Sequence, residues 1–251
     1  MSTTATAILE SAPAPATGWN FQPAARRSRA TTARRPVQPS AFRPSGLQNF
    51  SSRPLLFSEQ FLDWLEPGVH ADLIAGEIFM HSPVALRHAD YVNFIESLMR
   101  QHIDEFGLGK LYQETVAVRL GPRDTFLPDL SYFTPAQVER LGDTHADFAP
   151  ALVVEVLSPS TAKRDRGAKF AAYEAHGVQE YWLIDPDNAQ HHFYRRAGDI
   201  LEEYAAPPAP RIDSQSIPGF WLKREWLADP KNLPPVSTCL AALRASRRKR
   251  T

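Results

Sequence analysis

The sequence predicts an α/β fold, a mixed central sheet flanked by helices. Three observations carry this. First, a long amphipathic helix is expected over 85–106, where Tyr91, Ile95, Leu98 and Met99 recur at helical spacing. Second, residues 151–157 read Ala-Leu-Val-Val-Glu-Val-Leu, the composition of a strand covered on both faces. Third, the elements run helix, strand, strand, strand, helix, strand, and such alternation implies a sheet packed between helices.

Each element has a local reason. A short helix is expected from Ser58 to Leu65, with Ser58 as N-cap and Phe61, Leu62 and Leu65 on its apolar face; Pro67-Gly68 ends it. Strands over 71–74 and 77–81 hinge at Gly76. Gly107 and Gly109 stop the long helix. Residues 111–120 alternate as one strand with an apolar face, and 126–133 form the next after a Gly-Pro turn at 121–124. A short helix covers 135–141 and a polar loop 142–150. Ser158-Pro159-Ser160-Thr161 caps a helix over 162–176, closed by Gly177. A buried strand over 181–184 stops at Asp185-Pro186, and a peripheral hairpin follows over 191–195 and 200–204. The Pro-rich stretch 205–240 holds a short helix near 224–227.

The formal net charge is zero, but its distribution is uneven. Residues 1–53 carry seven arginines and one acid, and 241–251 carry four arginines, one lysine and no acid. The stretch between them has 16 basic side chains against 27 acids. An acidic middle lacks the basic field that draws in nucleic acid, which leaves that task to the tails. Both tails are expected to be solvated and disordered; the arginine- and serine-rich N-terminal one also has the composition of a transit peptide. The single cysteine, Cys239, cannot staple the fold, and no Cys/His spacing points to zinc. With no apolar run near the roughly 18 residues of a membrane span, a cytoplasmic protein without a membrane partner is expected.

Glu155 is the most informative residue. Alternation puts it on the face of Val153 and Leu157, where a carboxylate costs several kcal/mol unless it binds a cation or pairs with a lysine or arginine. Asp129 follows Pro128 in another apolar strand and would alone be read as a strand end. Together, 26 residues apart on neighbouring strands, the two carboxylates can converge on one hard divalent cation, with the Val156 carbonyl as a third ligand. Asp165, Lys169 and Tyr173 fall four apart on one helix face. Lys169 can orient a water or neutralise a phosphate, or simply pair with Asp165 in solvent. His88 and Glu77 are secondary candidates that can approach the same sheet face, each with a plain structural alternative.

Pro128-Asp129, Val153 to Thr161 with its central Glu155, the Asp165–Lys169–Tyr173 face, and Gly177 to Pro186 resemble the Uma-two family of bacterial restriction-endonuclease-like proteins. The similarity runs from about Phe57 to Arg196. The resemblance implies a restriction-endonuclease-like αβββαβ core of the PD-(D/E)xK nuclease superfamily, placed over 54–204. It also implies that Asp129 and Glu155 bind Mg²⁺ or Mn²⁺ for phosphodiester hydrolysis, with DNA as substrate. Leu157 stands where the superfamily's short motif has lysine, and Lys169 matches the family's lysine on the next helix. The alternatives are a non-cleaving nucleic-acid-binding or interaction module that keeps the fold, and a metal-dependent hydrolase of another phosphoester such as RNA. A homodimer is compatible with cutting two strands, although no residue in the sequence reports one.

Overall fold

The structure is a computed structural model and describes residues 55–248. The tail expected over 1–53 and the last residues of the basic C-terminus lie outside the described residues. Helix α1 (Ser58–Trp64) precedes the hairpin of β1 (Ala71–Ile74) and β2 (Glu77–Met80), whose turn takes positive φ at Ala75 and Gly76. Phe57, not Ser58, is the N-cap of α1. Gln60 Oε1 accepts the Phe57 N–H at 2.9 Å, and the Ser58 hydroxyl instead donates to the Gly121 carbonyl at 2.7 Å. Helix α2 (Leu86–Phe106) follows the expected span and ends at Gly107 in the left-handed conformation.

The stretches expected as single strands over 111–120 and 126–133 are each two strands. They form β3 (Lys110–Gln113) and β4 (Ala117–Gly121), then β5 (Asp124–Phe126) and β6 (Leu130–Phe133). The first break falls at Glu114, whose φ is +43°. The second falls at Leu127-Pro128-Asp129, where Pro128 has no N–H to give a ladder. At both breaks the chain changes sheets. A short helix α3 (Pro135–Val138) follows, then β7 (His145–Ala146) inside the expected loop, and β8 (Leu152–Val156).

The expected helix over 162–176 is α4 (Ala162–Arg164), a π-helical turn over Asp165–Lys169, and α5 (Phe170–Ala175). Strand β9 (Glu180–Ile184), the hairpin β10 (His192–Ala197) with β11 (Ile200–Glu203), and a second hairpin β12 (Arg211–Asp213) with β13 (Trp221–Lys223) complete the strands. A 3-10 turn occupies Arg224–Leu227. The last element is α6 (Val236–Arg248), which begins before the expected boundary at 240 and continues through it; its Cys239, Leu240 and Leu243 are buried in the core.

Six strands form the central sheet in the order β11-β10-β9-β8-β6-β3. It is mixed, because β8 runs parallel to β9 and antiparallel to β6. Val154 and Val156 face α2 with Tyr91, Ile95, Leu98 and Met99. Val153 and Leu157 face the other way and pack with Tyr173 of α5, Phe126 and Ile74. A five-stranded sheet, β2-β1-β5-β4-β7, brings β1 and β5 to this second face. The expected α/β architecture with helices against a mixed sheet is the one observed, and alternation on β8 leaves Glu155 on the side of α5.

Gly109 is needed where α2 hands over to β3. Its φ is +119°, and a Cβ there would lie 2.1 Å from the Phe133 carbonyl oxygen. Gly109→Ala is expected to lower stability by about 3 kcal/mol or more, since backbone strain and overlap add. Urea denaturation checks this, and a loss under about 1 kcal/mol would contradict it.

Candidate active site

The two sheet-crossing breaks, the π-helical turn and the end of β8 meet at one cavity of about 180 Å³. Asp72, Glu114, Asp129, Glu155, Asp165 and Lys169 all line it. Their arrival there has a common cause. Glu114 and Asp129 sit where the chain leaves one sheet for the other, so their side chains are released from the regular alternation of a ladder. The pairing of Leu130 with Val154 then sets Asp129 beside the end of β8.

Asp129 accepts the backbone N–H of Val156 on Oδ2 at 2.6 Å, and His88 Nε2 stands 3.4 Å from the same oxygen. Burial works to lower the His88 imidazole, but the Asp129 carboxylate beside it outweighs burial and raises it above its usual value. Asp129, Glu155, Val156 and His88 all line this cavity. Glu77 is not part of it: the side chain is exposed on the β1–β2 hairpin, away from the lining residues.

Lys169 is buried and points into the cavity. Its Nζ lies 2.6 Å from Glu155 Oε1, 3.3 Å from Asp72 Oδ2 and 3.6 Å from Asp165 Oδ1. The Asp165–Lys169 pair is thus buried, not solvated. The π-helical turn that carries both residues is the kind of helix irregularity often found at functional sites. Tyr173 adds a hydroxyl that donates to Glu155 Oε1 at 3.0 Å. Leu157 packs in the apolar cluster with Tyr173 and Phe126, and the ammonium beside Glu155 comes from the following helix.

Three carboxylates around one ammonium leave excess negative charge. Burial pushes the Glu155 carboxyl up to about 8; Lys169 opposes this, while Asp165, Asp129 and Asp72 reinforce it. Burial would also raise Asp72, but Lys169 and His81 hold it down to about 2. Lys169 stays charged, its pKa far above the usual lysine range because the surrounding carboxylates outweigh burial. The donor set fits a hard divalent cation. The contacts named above use Oδ2 of Asp129 and Oε1 of Glu155, so the second oxygen of each remains to face an ion, and the ion would offset the surplus charge.

Asp72, Glu114 and His81 were not singled out from the sequence. Asp72 reads as one polar position in the strand Ala-Asp-Leu-Ile, and Glu114 is hidden inside an unbroken alternation. The signal available for Asp72 was the same as for Glu155: a carboxylate inside a short apolar strand.

The mixed sheet flanked by helices has the restriction-endonuclease-like architecture, and its cavity brings together carboxylates and a lysine from the following helix. The chain matches the model of the Uma2 family, described as "Putative restriction endonuclease", over residues 58–225, and belongs to that family. A crystal structure titled as a putative nuclease belonging to DUF820, from Anabaena variabilis ATCC 29413, superposes with a TM-score of 0.58 at 21% identity. The match covers 68% of this chain and 96% of that one, and it shows the fold. The "Uncharacterized protein slr1290" of Synechocystis sp. (strain ATCC 27184 / PCC 6803 / Kazusa) is 29% identical over 174 residues, 65% of this chain and 87% of that protein. Among the described residues no helix is long and apolar enough to cross a membrane.

Proposed function

We propose that the chain is a Mg²⁺- or Mn²⁺-dependent endonuclease that hydrolyses phosphodiester bonds in DNA. The observation that carries this is the convergence of Asp129, Glu155 and Lys169 on one cavity, with the lysine 2.6 Å from the glutamate. Asp129, Glu155 and the Val156 carbonyl would hold the divalent cation, which would neutralise charge at the phosphate and lower the pKa of bound water. Lys169 holds positive charge at the reacting phosphate. Asp72 and Asp165 keep that ammonium protonated and in place, and Tyr173 fixes the Glu155 carboxylate through its hydroxyl. His88 Nε2 and the Val156 N–H hold Asp129 at the same carboxylate oxygen. A non-cleaving role would have been favoured by a Lys169 turned away from the carboxylates, and its side chain faces them.

The basic residues of 1–53 and 241–251 supply the attraction for phosphate that the acidic middle lacks, and two copies are the natural arrangement for cutting both strands. Supercoiled plasmid, single-stranded DNA and RNA incubated with the full chain in Mg²⁺, Mn²⁺ or EDTA test the proposal. Nicking and linearisation of the plasmid in either metal, absent in EDTA and lost in Asp129→Asn, are expected. Cutting of RNA alone, or no cutting of any substrate, would contradict it.

A further inference from the structure

On the wall of the same cavity, His81 and Glu114 join His70 of the adjoining outer groove in a cluster of donors to which phosphodiester cleavage assigns no role. Glu114 Oε1 is 3.0 Å from His70 Nδ1 and 2.9 Å from His81 Nδ1. One donor atom from each of these three residues lies within 4.8 Å of the others. On its far side His81 Nε2 is 3.2 Å from Asp72 Oδ2. A neutral His81 that donates its Nε2–H to Asp72 must turn the Nδ1 lone pair toward Glu114. Two acceptors then face each other at hydrogen-bond distance, and only a proton or a metal cation between them relieves the repulsion.

We propose that His70, His81 and Glu114 form a binding site for a divalent transition metal of the zinc class, separate from the cation of Asp129 and Glu155. Two imidazoles and one carboxylate are the donor set that zinc, cobalt and nickel take up, whereas a purely oxygen set suits magnesium. Zinc bonds of about 2.0–2.2 Å in tetrahedral geometry put neighbouring donors about 3.3–3.5 Å apart. The observed spacings to Glu114 need to open by only a few tenths of an ångström, and His70 is free to give way because 42% of its side chain is exposed. Asp72 fixes the tautomer of His81 from behind, as carboxylates commonly do for metal-bound histidines. Glu114 borders both the catalytic cavity and an outer groove that His70 also lines, which gives an ion an entry path and a water a fourth position.

The same oxygen of Asp72 that faces His81 is 3.3 Å from Lys169 Nζ. Occupancy of the site therefore restrains a carboxylate that also holds the lysine of the cavity. The binding claim stands whether or not the cavity cuts DNA.

Titration of the untagged full chain with Co²⁺, followed by visible absorption and by displacement with Zn²⁺, tests the site. One equivalent of Co²⁺ with the intense d–d bands of a four-coordinate site is expected in the wild type, beyond any weakly absorbing Co²⁺ held by Asp129 and Glu155, and those bands are expected to persist in Asp129→Asn. His70→Ala, whose folding is checked by circular dichroism, is expected to weaken binding by about 10-fold or more. His81→Gln should weaken it likewise. No bound Co²⁺ in the wild type would show His81 to be a protonated clamp between two carboxylates and overturn the proposal. Binding that survives in His70→Ala but is lost in Asp129→Asn would place the ion at the other site and overturn it as well.

Discussion

Replacing Glu155 by glutamine is expected to reduce the single-turnover rate of metal-dependent plasmid cleavage by about 10³-fold or more, equivalent to about 4 kcal/mol of barrier. The substitution removes the one carboxylate that the sheet presents to the cavity between Lys169 and Asp129. It should leave the fold intact. A glutamine amide oxygen can still accept from Lys169 Nζ and from the Tyr173 hydroxyl, both within 3.0 Å of Glu155 Oε1. It also removes a charge that the site disfavours, because the Glu155 carboxyl is pushed up to about 8 by burial and by neighbouring carboxylates. The sign follows from proton counting. Between the ordinary glutamate value of 4.5 and about 8, the folded chain holds a proton that the unfolded chain has lost, so metal-free stability falls as pH rises through that window. Glu155→Gln should flatten that fall. A variant that unfolds at neutral pH, or one that cuts at the wild-type rate, would contradict this role for Glu155.

Replacing Lys169 by methionine is expected to destabilise the metal-free chain by about 3–5 kcal/mol, because it removes the buried ammonium that Asp72, Glu155 and Asp165 share. For a chain of this size that is a drop of about 10 °C in Tm. Millimolar Mg²⁺ should recover part of the loss, since a bound cation supplies positive charge to the same carboxylates. Asp72→Asn combined with Lys169→Met should lose less than the two single effects added, because the second change removes a charge that the first left unpaired. Thermal melts of the three variants with EDTA and with Mg²⁺ measure all of these terms. Strict additivity, or an unchanged Tm for Lys169→Met, would show that the cluster is not an interdependent unit.

Glu155 and Lys169 were legible in the sequence for different reasons. Glu155 announces itself because a carboxylate between Val154 and Val156 cannot be left without a partner. Both partners considered for it, a lysine and a cation, suit the observed surroundings. Lys169 could be placed on a helix face with Asp165 and Tyr173, but the π-helical turn that buries both charged side chains leaves no mark in residue spacing. The two sheet crossings divided along similar lines. Pro128 carries the mark of a ladder breaker, although the strand expected over 126–133 runs through it, whereas the break at Glu114 occurs at a residue with no intrinsic preference for positive φ, inside an alternation that looks continuous. Without that break Glu114 would stay in a ladder, and neither it nor Asp72, on the other side of His81, stands out. Helix α6 was obscured by its charge. Its arginines read as a solvated tail, although Cys239, Leu240 and Leu243 already have the spacing of one apolar helix face.

The central claim is that Asp129 and Glu155 hold one catalytic cation together. Mn²⁺ binding, followed by loss of the free-ion electron paramagnetic resonance signal, tests it most directly when carried out in a His70→Ala background that silences the neighbouring histidine cluster. One bound ion is expected, with affinity falling about 10-fold or more when either Asp129→Asn or Glu155→Gln is added. Unchanged Mn²⁺ affinity in both variants would contradict the claim.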